Sequence, residues 1–175
     1  MHILVAVLGA LATVLFLLSR IGKGASDLAE TAQELSNLPR RLRHRRKAGK
    51  QGLDLIENPV EAATVLMIAV ARMDGLGRVS DTQASHIAKQ LSEHMQLSPE
   101  DADGYVVQLR SLSGYLKQAD SALFPMVDLL QTSVTKEEAR DLSTMLVSVA
   151  ESDDPPNPEQ LNFIRRFEER MGLGS

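Results

Sequence analysis

Residues 66–83, LMIAVARMDGLGRVSDTQ, decide the fold of this chain. The stretch begins as an apolar run typical of a buried helix, and that run ends at Asp74 and Gly75. Ser80 and Gln83 then have the Ser-x-x-Gln spacing of a capping box, in which each side chain accepts a hydrogen bond from the backbone N–H of the other residue. The stretch therefore predicts a helix, a short turn and a second helix.

A looser copy of this pattern occupies residues 145–160, MLVSVAESDDPPNPEQ. Here Asp153 is the acidic residue at the end of a helix. Asn157 is predicted to cap the next helix, since Pro158 follows it at the first helical position, where proline is favoured. Two copies in one chain predict two related helix-turn-helix units, and we expect Asp74 and Asp153 to lie at neighbouring helix ends.

The remaining helices are predicted from side-chain caps and from apolar residues at helical spacing. The other predicted caps are Asn58, Ser98, Thr135 and either Asp120 or Ser121. The predicted inward stripe of the first helix is Ala62, Val65, Leu66, Ala69, Val70 and Met73. Because no segment has sustained period-two alternation, the sequence predicts an all-α domain of about six helices over residues 58–173.

The composition excludes several classes of function. The 175 residues include no cysteine, so disulfides and cysteine-based zinc sites are absent. With four Phe, two Tyr and no Trp, the chain lacks the aromatic platforms on which single-stranded nucleic acid stacks. We find no nucleophile elbow and no glycine-rich phosphate loop. His86 and His94 are too far apart on one helix to converge on a metal ion. No catalytic activity is expected.

The N-terminus has the character of a membrane anchor. Residues 3–19 contain no charge and no proline, and a helix of this length spans about 25 Å, at the short end for a bilayer. Arg20 and Lys23 follow the run and can reach the interface. We predict a transmembrane anchor over residues 1–21. A cleaved signal peptide and a peripheral or buried helix are the alternatives, although a basic start and a cleavage site for the former are absent.

Charge is distributed unevenly, with nine Lys/Arg against three Asp/Glu in residues 20–50 and ten against twenty in residues 51–175. The positive-inside rule therefore predicts an outside N-terminus and a cytoplasmic C-terminal domain. Residues 22–57 are predicted to form an amphipathic helix, a basic neck (residues 40–47) and a linker. The neck is expected to contact anionic lipid headgroups. It could instead be a topology signal without a ligand, or a nucleic-acid contact, which the acidic domain would oppose. Its cations are Arg40, Arg41, Arg43, Arg45, Arg46 and Lys47.

The two Asp-containing turns provide the candidate ligands for a metal ion, namely Asp74, Asp81, Asp153 and Glu159. If the two units pack against each other, these carboxylates converge, and hard oxygen ligands suit Ca²⁺ or Mg²⁺. The alternative is purely structural. Gln83 and Gln160 would then act as capping residues, and Asp81 would stabilise a helix N-terminus.

At these residues the chain resembles the TerB-like (tellurite-resistance) family over residues 59–173. The family pattern is Ala-x-x-Asp-Gly, then a hydrophobic residue, Ser or Thr, and Glu three positions further, with a second copy near the C-terminus. Residues 71–75 and 79–83 match the first copy, and residues 150–154 and 157–160 match the second. The resemblance implies an all-helical domain, which also occurs at the front of a membrane-anchored DnaJ-like co-chaperone, and metal binding in some members.

The chain departs from this pattern in three places. Leu76 and Gly77 lengthen the first turn, Asp154 replaces the second glycine, and both family glutamates are glutamines, Gln83 and Gln160. Glutamine can still cap a helix but contributes no negative charge, which weakens the implied metal site. No J domain with a His-Pro-Asp motif follows, so co-chaperone activity is not implied.

Taken together, these features predict a single-pass protein of the bacterial inner membrane with a TerB-like domain in the cytoplasm. The expected role is that of a non-catalytic interaction or scaffold module in a tellurite-type stress response. Its protein partner is unknown, and neither a nucleic acid nor a required cofactor is expected. The alternatives are a sensor of Ca²⁺ or Mg²⁺ that uses the two Asp turns and, third, a metal-assisted hydrolase.

Overall fold

The computed structural model describes residues 52–95, 97–114 and 118–174, and within these ranges the chain is all-α. Two short 3-10 turns, Gly52–Leu55 and Ala119–Ala122, precede the first and fourth helices. The described ranges contain six α-helices, which confirms the predicted helical bundle. They are α1 (Pro59–Ala71), α2 (Asp81–Met95), α3 (Pro99–Ser113), α4 (Leu123–Gln131), α5 (Lys136–Ala150) and α6 (Pro158–Met171).

Helix α1 forms the centre of the domain. It packs against each of the other five helices, and all of its residues from Glu61 to Ala71 are buried. The prediction of a single inward stripe on α1 is therefore wrong. Met67 and Ile68 lie outside that stripe and are nevertheless fully buried, because neighbouring helices cover α1 on every side. A periodic stripe describes burial on one side only, whereas a helix that is apolar all round, as this run is, is typical of burial on every side.

The other five helices surround α1 and have one buried face each. Helices α2 and α3 pack against each other, as do α5 and α6, and α4 contacts α6. Phe163 and Phe167 of α6 are among the largest fully buried side chains. The shell closes over an apolar core that extends from Leu55 to Met171.

The helix starts follow the predicted caps in most cases. The Asn58 side chain accepts a hydrogen bond from the backbone N–H of Glu61 at 2.8 Å, and Ser98 accepts one from Asp101 at 3.1 Å. Thr135 forms a complete capping box with its third following residue. At the other end of the domain, α6 ends at Gly172, whose left-handed φ of 68° is favourable for glycine.

Helix α4 begins differently from the prediction. Neither Asp120 nor Ser121 caps it, because α4 continues directly from the 3-10 turn and its N-cap residue, Ala122, makes no side-chain hydrogen bond. The carboxylate of Asp120 instead accepts a hydrogen bond from Arg166 Nη1 on α6 at 2.6 Å. Asp120 therefore connects the turn before α4 to α6 and does not cap α4.

The packed domain includes residues upstream of the predicted start at 58, since Leu55 and Ile56 are buried in the core. Across the described ranges, no helix combines the length and the apolar character that a bilayer crossing requires. The predicted anchor (residues 1–21) and the basic neck lie outside the described residues.

Candidate functional site

The two Asp-containing turns lie against each other at the C-terminal end of α1. Residues 72–80 and residues 151–157, together with the capping residues Gln83 and Gln160, are called the paired turn below. The Ser80 hydroxyl donates a hydrogen bond to Asp153 Oδ2 at 2.6 Å, and Asn157 Nδ2 donates to the carbonyl of Met73. The contact that the repeat predicts between the two units is therefore present.

Each half of the paired turn contains a complete capping box. Gln83 Oε1 accepts from the N–H of Ser80 at 2.8 Å, and Ser80 Oγ accepts from the N–H of Gln83 at 3.0 Å. Gln160 Oε1 accepts from the N–H of Asn157 at 3.0 Å, and Asn157 Oδ1 accepts from the N–H of Gln160 at 2.9 Å. Both capping boxes were predicted from the sequence and are confirmed.

The amide nitrogens of the same two glutamines bind the end of α1. Gln160 Nε2 donates to the carbonyl of Val70 at 3.1 Å. Gln83 Nε2 lies 3.3 Å from the carbonyl of Ala71 and 3.1 Å from Asp74 Oδ2. The last carbonyls of a helix lack their regular partners within the helix. Here the backbone N–H groups of Met73 and Asp74 also reach the Val70 and Ala71 carbonyls, at 3.1 and 3.4 Å, so the glutamine amides are second donors to them. Each glutamine thus caps the start of one helix with its oxygen and the end of α1 with its nitrogen.

Two arginines connect the first half of the paired turn to its surroundings. Arg72 donates from Nε to the carbonyl of Gly77 at 3.3 Å and from Nη1 to the carbonyl of Ser113 on α3. Arg110 on α3 donates from Nη2 to the carbonyl of Val79 at 2.6 Å. Neither role is predicted by the sequence pattern. A basic residue at a helix end is a weak signal for Arg72, and nothing local distinguishes Arg110.

The four predicted metal ligands have separate environments. Asp74 is half-buried, and its Oδ1 accepts from the N–H of Leu76 at 2.7 Å. Asp153 is exposed and accepts a hydrogen bond from the Ser80 hydroxyl. Asp81 is exposed, and its Oδ1 lies 3.4 Å from Arg110 Nη1. Glu159 is exposed. Within the described ranges, no group of three or more His, Cys, Asp or Glu residues is arranged to hold a metal ion. The structure thus brings the two turns together without gathering their carboxylates.

The similarity to known families agrees with this geometry. A model of the family described as "Tellurite resistance protein TerB" matches residues 60–175. The chain belongs to the TerB family. The matched range includes almost all of α1, the five helices around it and the whole paired turn, so the TerB fold accounts for the described domain. No curated protein and no solved structure matches the chain.

The metal ion that the TerB resemblance implies does not fit the donors at the paired turn. Calcium takes six to eight oxygen ligands, several of them usually carboxylates. Three oxygens at the end of α1, the carbonyls of Val70 and Ala71 and Oδ2 of Asp74, already receive N–H groups from the glutamines. The glutamine oxygens in turn accept backbone N–H groups of the caps. These acceptors are satisfied by the protein's own donors.

Two further features lie outside the paired turn. An open groove of about 370 Å³ is lined by Ser85, Ala88, Lys89, Ser92, Glu93, Pro99 and Asp103, none of which is a predicted site residue. The pKa of Asp141 on α5 is raised, chiefly by burial and further by the charges of Glu137 and Glu138, while the charge of His94 lowers it. Neither feature contains a cluster suited to a metal ion.

The aspartates of the paired turn provide a test of their structural role. We expect Asp74→Ala to lower the free energy of unfolding by about 1–2 kcal/mol, because it removes an acceptor for both a backbone N–H and Gln83. Asp153→Ala should cost less than about 1 kcal/mol, since Asp153 is exposed. Urea unfolding in the presence of a chelator measures both changes.

Asp154→Ala is the matched control for these variants, because Asp154 is the exposed neighbour of Asp153. A surface substitution of this kind usually changes stability by less than about 0.5 kcal/mol. If Asp154→Ala destabilised the protein as much as Asp74→Ala, the assigned hydrogen bonds of Asp74 would not be the source of its effect.

Proposed function

We propose that this TerB-family protein is a membrane-anchored, non-catalytic interaction or scaffold module whose helical domain faces the cytoplasm. One observation carries the proposal: the polar side chains of the paired turn are engaged in holding helix ends together. Gln83, Gln160 and Asn157 each serve both a helix start and the end of α1. A surface whose polar side chains are hydrogen-bonded to the protein itself suits binding better than chemistry. The family description suggests a tellurite-type stress response as the setting.

Two further observations support a binding role over an enzymatic one. The open groove between α2 and α3 contains Lys89, Glu93 and Asp103 but none of the residues of the paired turn. Asp141 has a raised pKa, which is a frequent property of acid–base residues. However, the charged groups that affect it are His94 and two glutamates. A nucleophile and an ordered acid–base pair around one cavity, which a hydrolase would need, are not among these features.

The membrane location rests on the sequence of the first fifty residues. An uncharged run at residues 3–19 followed by the basic neck has the order expected of an anchor whose C-terminal side remains in the cytoplasm. Each neck cation near an anionic surface contributes roughly 1 kcal/mol to membrane binding. We propose that the anchor and neck hold the TerB domain close to the inner leaflet, where it meets its protein partner.

A divalent-metal sensor is the second candidate. It is favoured by the proximity of the two turns, since Asp153 accepts the Ser80 hydrogen bond and Asn157 donates to the carbonyl of Met73. It is disfavoured by the amide donors that already occupy the oxygens at the end of α1. A sensor would change stability when Ca²⁺ or Mg²⁺ is added, whereas a scaffold would not.

The interaction role can be tested by photo-crosslinking of the full chain in its native membranes. The described residues include four exposed large apolar side chains, at which a photoreactive residue can be placed without disturbing the core. They are Leu76, Val107, Phe124 and Leu161. A module with a defined binding face should give the same crosslinked protein from one or two of these positions. Absence of any protein adduct, or an identical pattern from all four positions, would contradict the proposal.

A further inference from the structure

The two buried glutamines occupy positions at which a carboxylate could accept the same hydrogen bonds but could not donate the others. Gln83 and Gln160 are each 2% exposed. Each uses its oxygen as an acceptor at a helix start and its nitrogen as a donor to the end of α1. An ionised glutamate accepts hydrogen bonds but donates none. At either position its second oxygen would face a carbonyl oxygen of α1.

The surroundings would not compensate for such a carboxylate. The C-terminal end of a helix carries a partial negative charge, which disfavours further negative charge nearby. Asp74 contributes one carboxylate to this end already. The guanidinium of Arg72 is directed to the carbonyls of Gly77 and Ser113, and that of Arg110 to Val79 and Asp81. A glutamate at these positions would need a cation from solution.

We propose that the side-chain amides of Gln83 and Gln160 take the place of a divalent cation at the paired turn. Their N–H groups supply to three oxygens the positive partial charge that a bound ion would otherwise supply. These oxygens are the Val70 and Ala71 carbonyls and Asp74 Oδ2. Glutamine at both positions makes the junction between the two units independent of metal, and glutamate there would make it dependent on metal. This inference does not rely on the proposed scaffold role.

The experiment compares the thermal unfolding of the full chain in a mild detergent for the wild type, Gln83→Glu, Gln160→Glu and the double variant. Each is measured in chelator and with about 1 mM CaCl₂, MgCl₂ or MnCl₂, a concentration that occupies a weak protein site. In chelator each single variant should lose about 5–10 °C in Tm, because a buried carboxylate oxygen then faces a carbonyl of α1 that has lost its side-chain donor and keeps only a backbone one. The wild type should unfold at the same temperature under all conditions.

At least one of the three cations should restore part of the lost Tm in the double variant, following ligand linkage. A rise in the Tm of the wild type with a cation would overturn the proposal, and so would a double variant that folds but gains nothing from any ion. If the double variant does not fold, the same test is applied to Gln83→Glu and Gln160→Glu, and a single variant whose Tm does not rise with any of the three cations overturns the proposal. Gln90→Glu is the matched control, since Gln90 lies on α2 outside the paired turn; it should change little in either medium.

Discussion

Met67→Ala is expected to lower the free energy of unfolding by about 2–5 kcal/mol, whereas Met73→Ala should cost clearly less. Both residues are methionines of the same segment, so the substitutions remove the same atoms. Met67 is fully buried in α1, while Met73 lies just past the helix end and is only partly buried. Deleting a buried side chain costs the lost transfer free energy and leaves a cavity, and both terms scale with burial.

This pair distinguishes two descriptions of α1. The sequence-based stripe places Met73 inward and leaves Met67 off the apolar face, which predicts the reverse order of effects. Central burial of α1 predicts that Met67 is the more sensitive residue. Urea unfolding of the full chain, followed by far-UV circular dichroism, measures both variants. Equal losses, or a larger loss for Met73→Ala, would contradict the central position of α1.

The largest change in location is expected from the first 21 residues. The full chain should remain in the membrane pellet after an alkaline carbonate wash, because a hydrophobic helix of this length is held by the bilayer core. Deletion of residues 2–21 should move the protein to the supernatant, apart from a salt-sensitive fraction retained by the basic neck. Fractionation and immunoblotting at low and high salt measure the distribution.

The same samples separate the alternatives to an anchor. The intact mass of the membrane-bound protein distinguishes an uncleaved anchor from a cleaved signal peptide, which would shorten the chain. Protease added to spheroplasts should leave the helical domain protected if it faces the cytoplasm. Full extraction of the intact chain by carbonate would favour a peripheral helix, and digestion of the domain in intact spheroplasts would reverse the predicted topology.

Much of the fold was predictable because its signals are local. The capping boxes at Ser80, Thr135 and Asn157 join residues three positions apart. Such pairs are visible as spacing in the sequence. The same holds for the all-α class, since it follows from period and caps. Where a local signal had a competitor, the prediction was wrong. Asp120 has the chemistry of a cap, but the nearby Arg166 of α6 offers it a stronger, charge-assisted partner.

The candidate site was predictable in place but not in chemistry. The repeated pattern brought Asp74 and Asp153 to attention, and the two turns do meet. Their carboxylates invited a metal interpretation, because oxygen ligands at a shared turn suit hard cations. Only the folded structure reveals that the side-chain amides of Gln83 and Gln160 donate hydrogen bonds to the oxygens at the end of α1. A glutamine amide has an oxygen that accepts and a nitrogen that donates. The sequence indicates only the role of the oxygen, which caps the start of the glutamine's own helix.

By itself, the sequence determined the helical class and most helix starts, since these depend on contacts between residues close in the chain. The repeat of one pattern also predicted that two related units pair. The tertiary structure alone decided which helices cover α1 on each side and that its end is held by distant side chains. Gln160 reaches Val70 across 90 positions, and Asn157 reaches Met73 across 84. Such hydrogen bonds form only after the surrounding helices have packed, because packing brings the donors to the helix end and removes the water that would otherwise satisfy it.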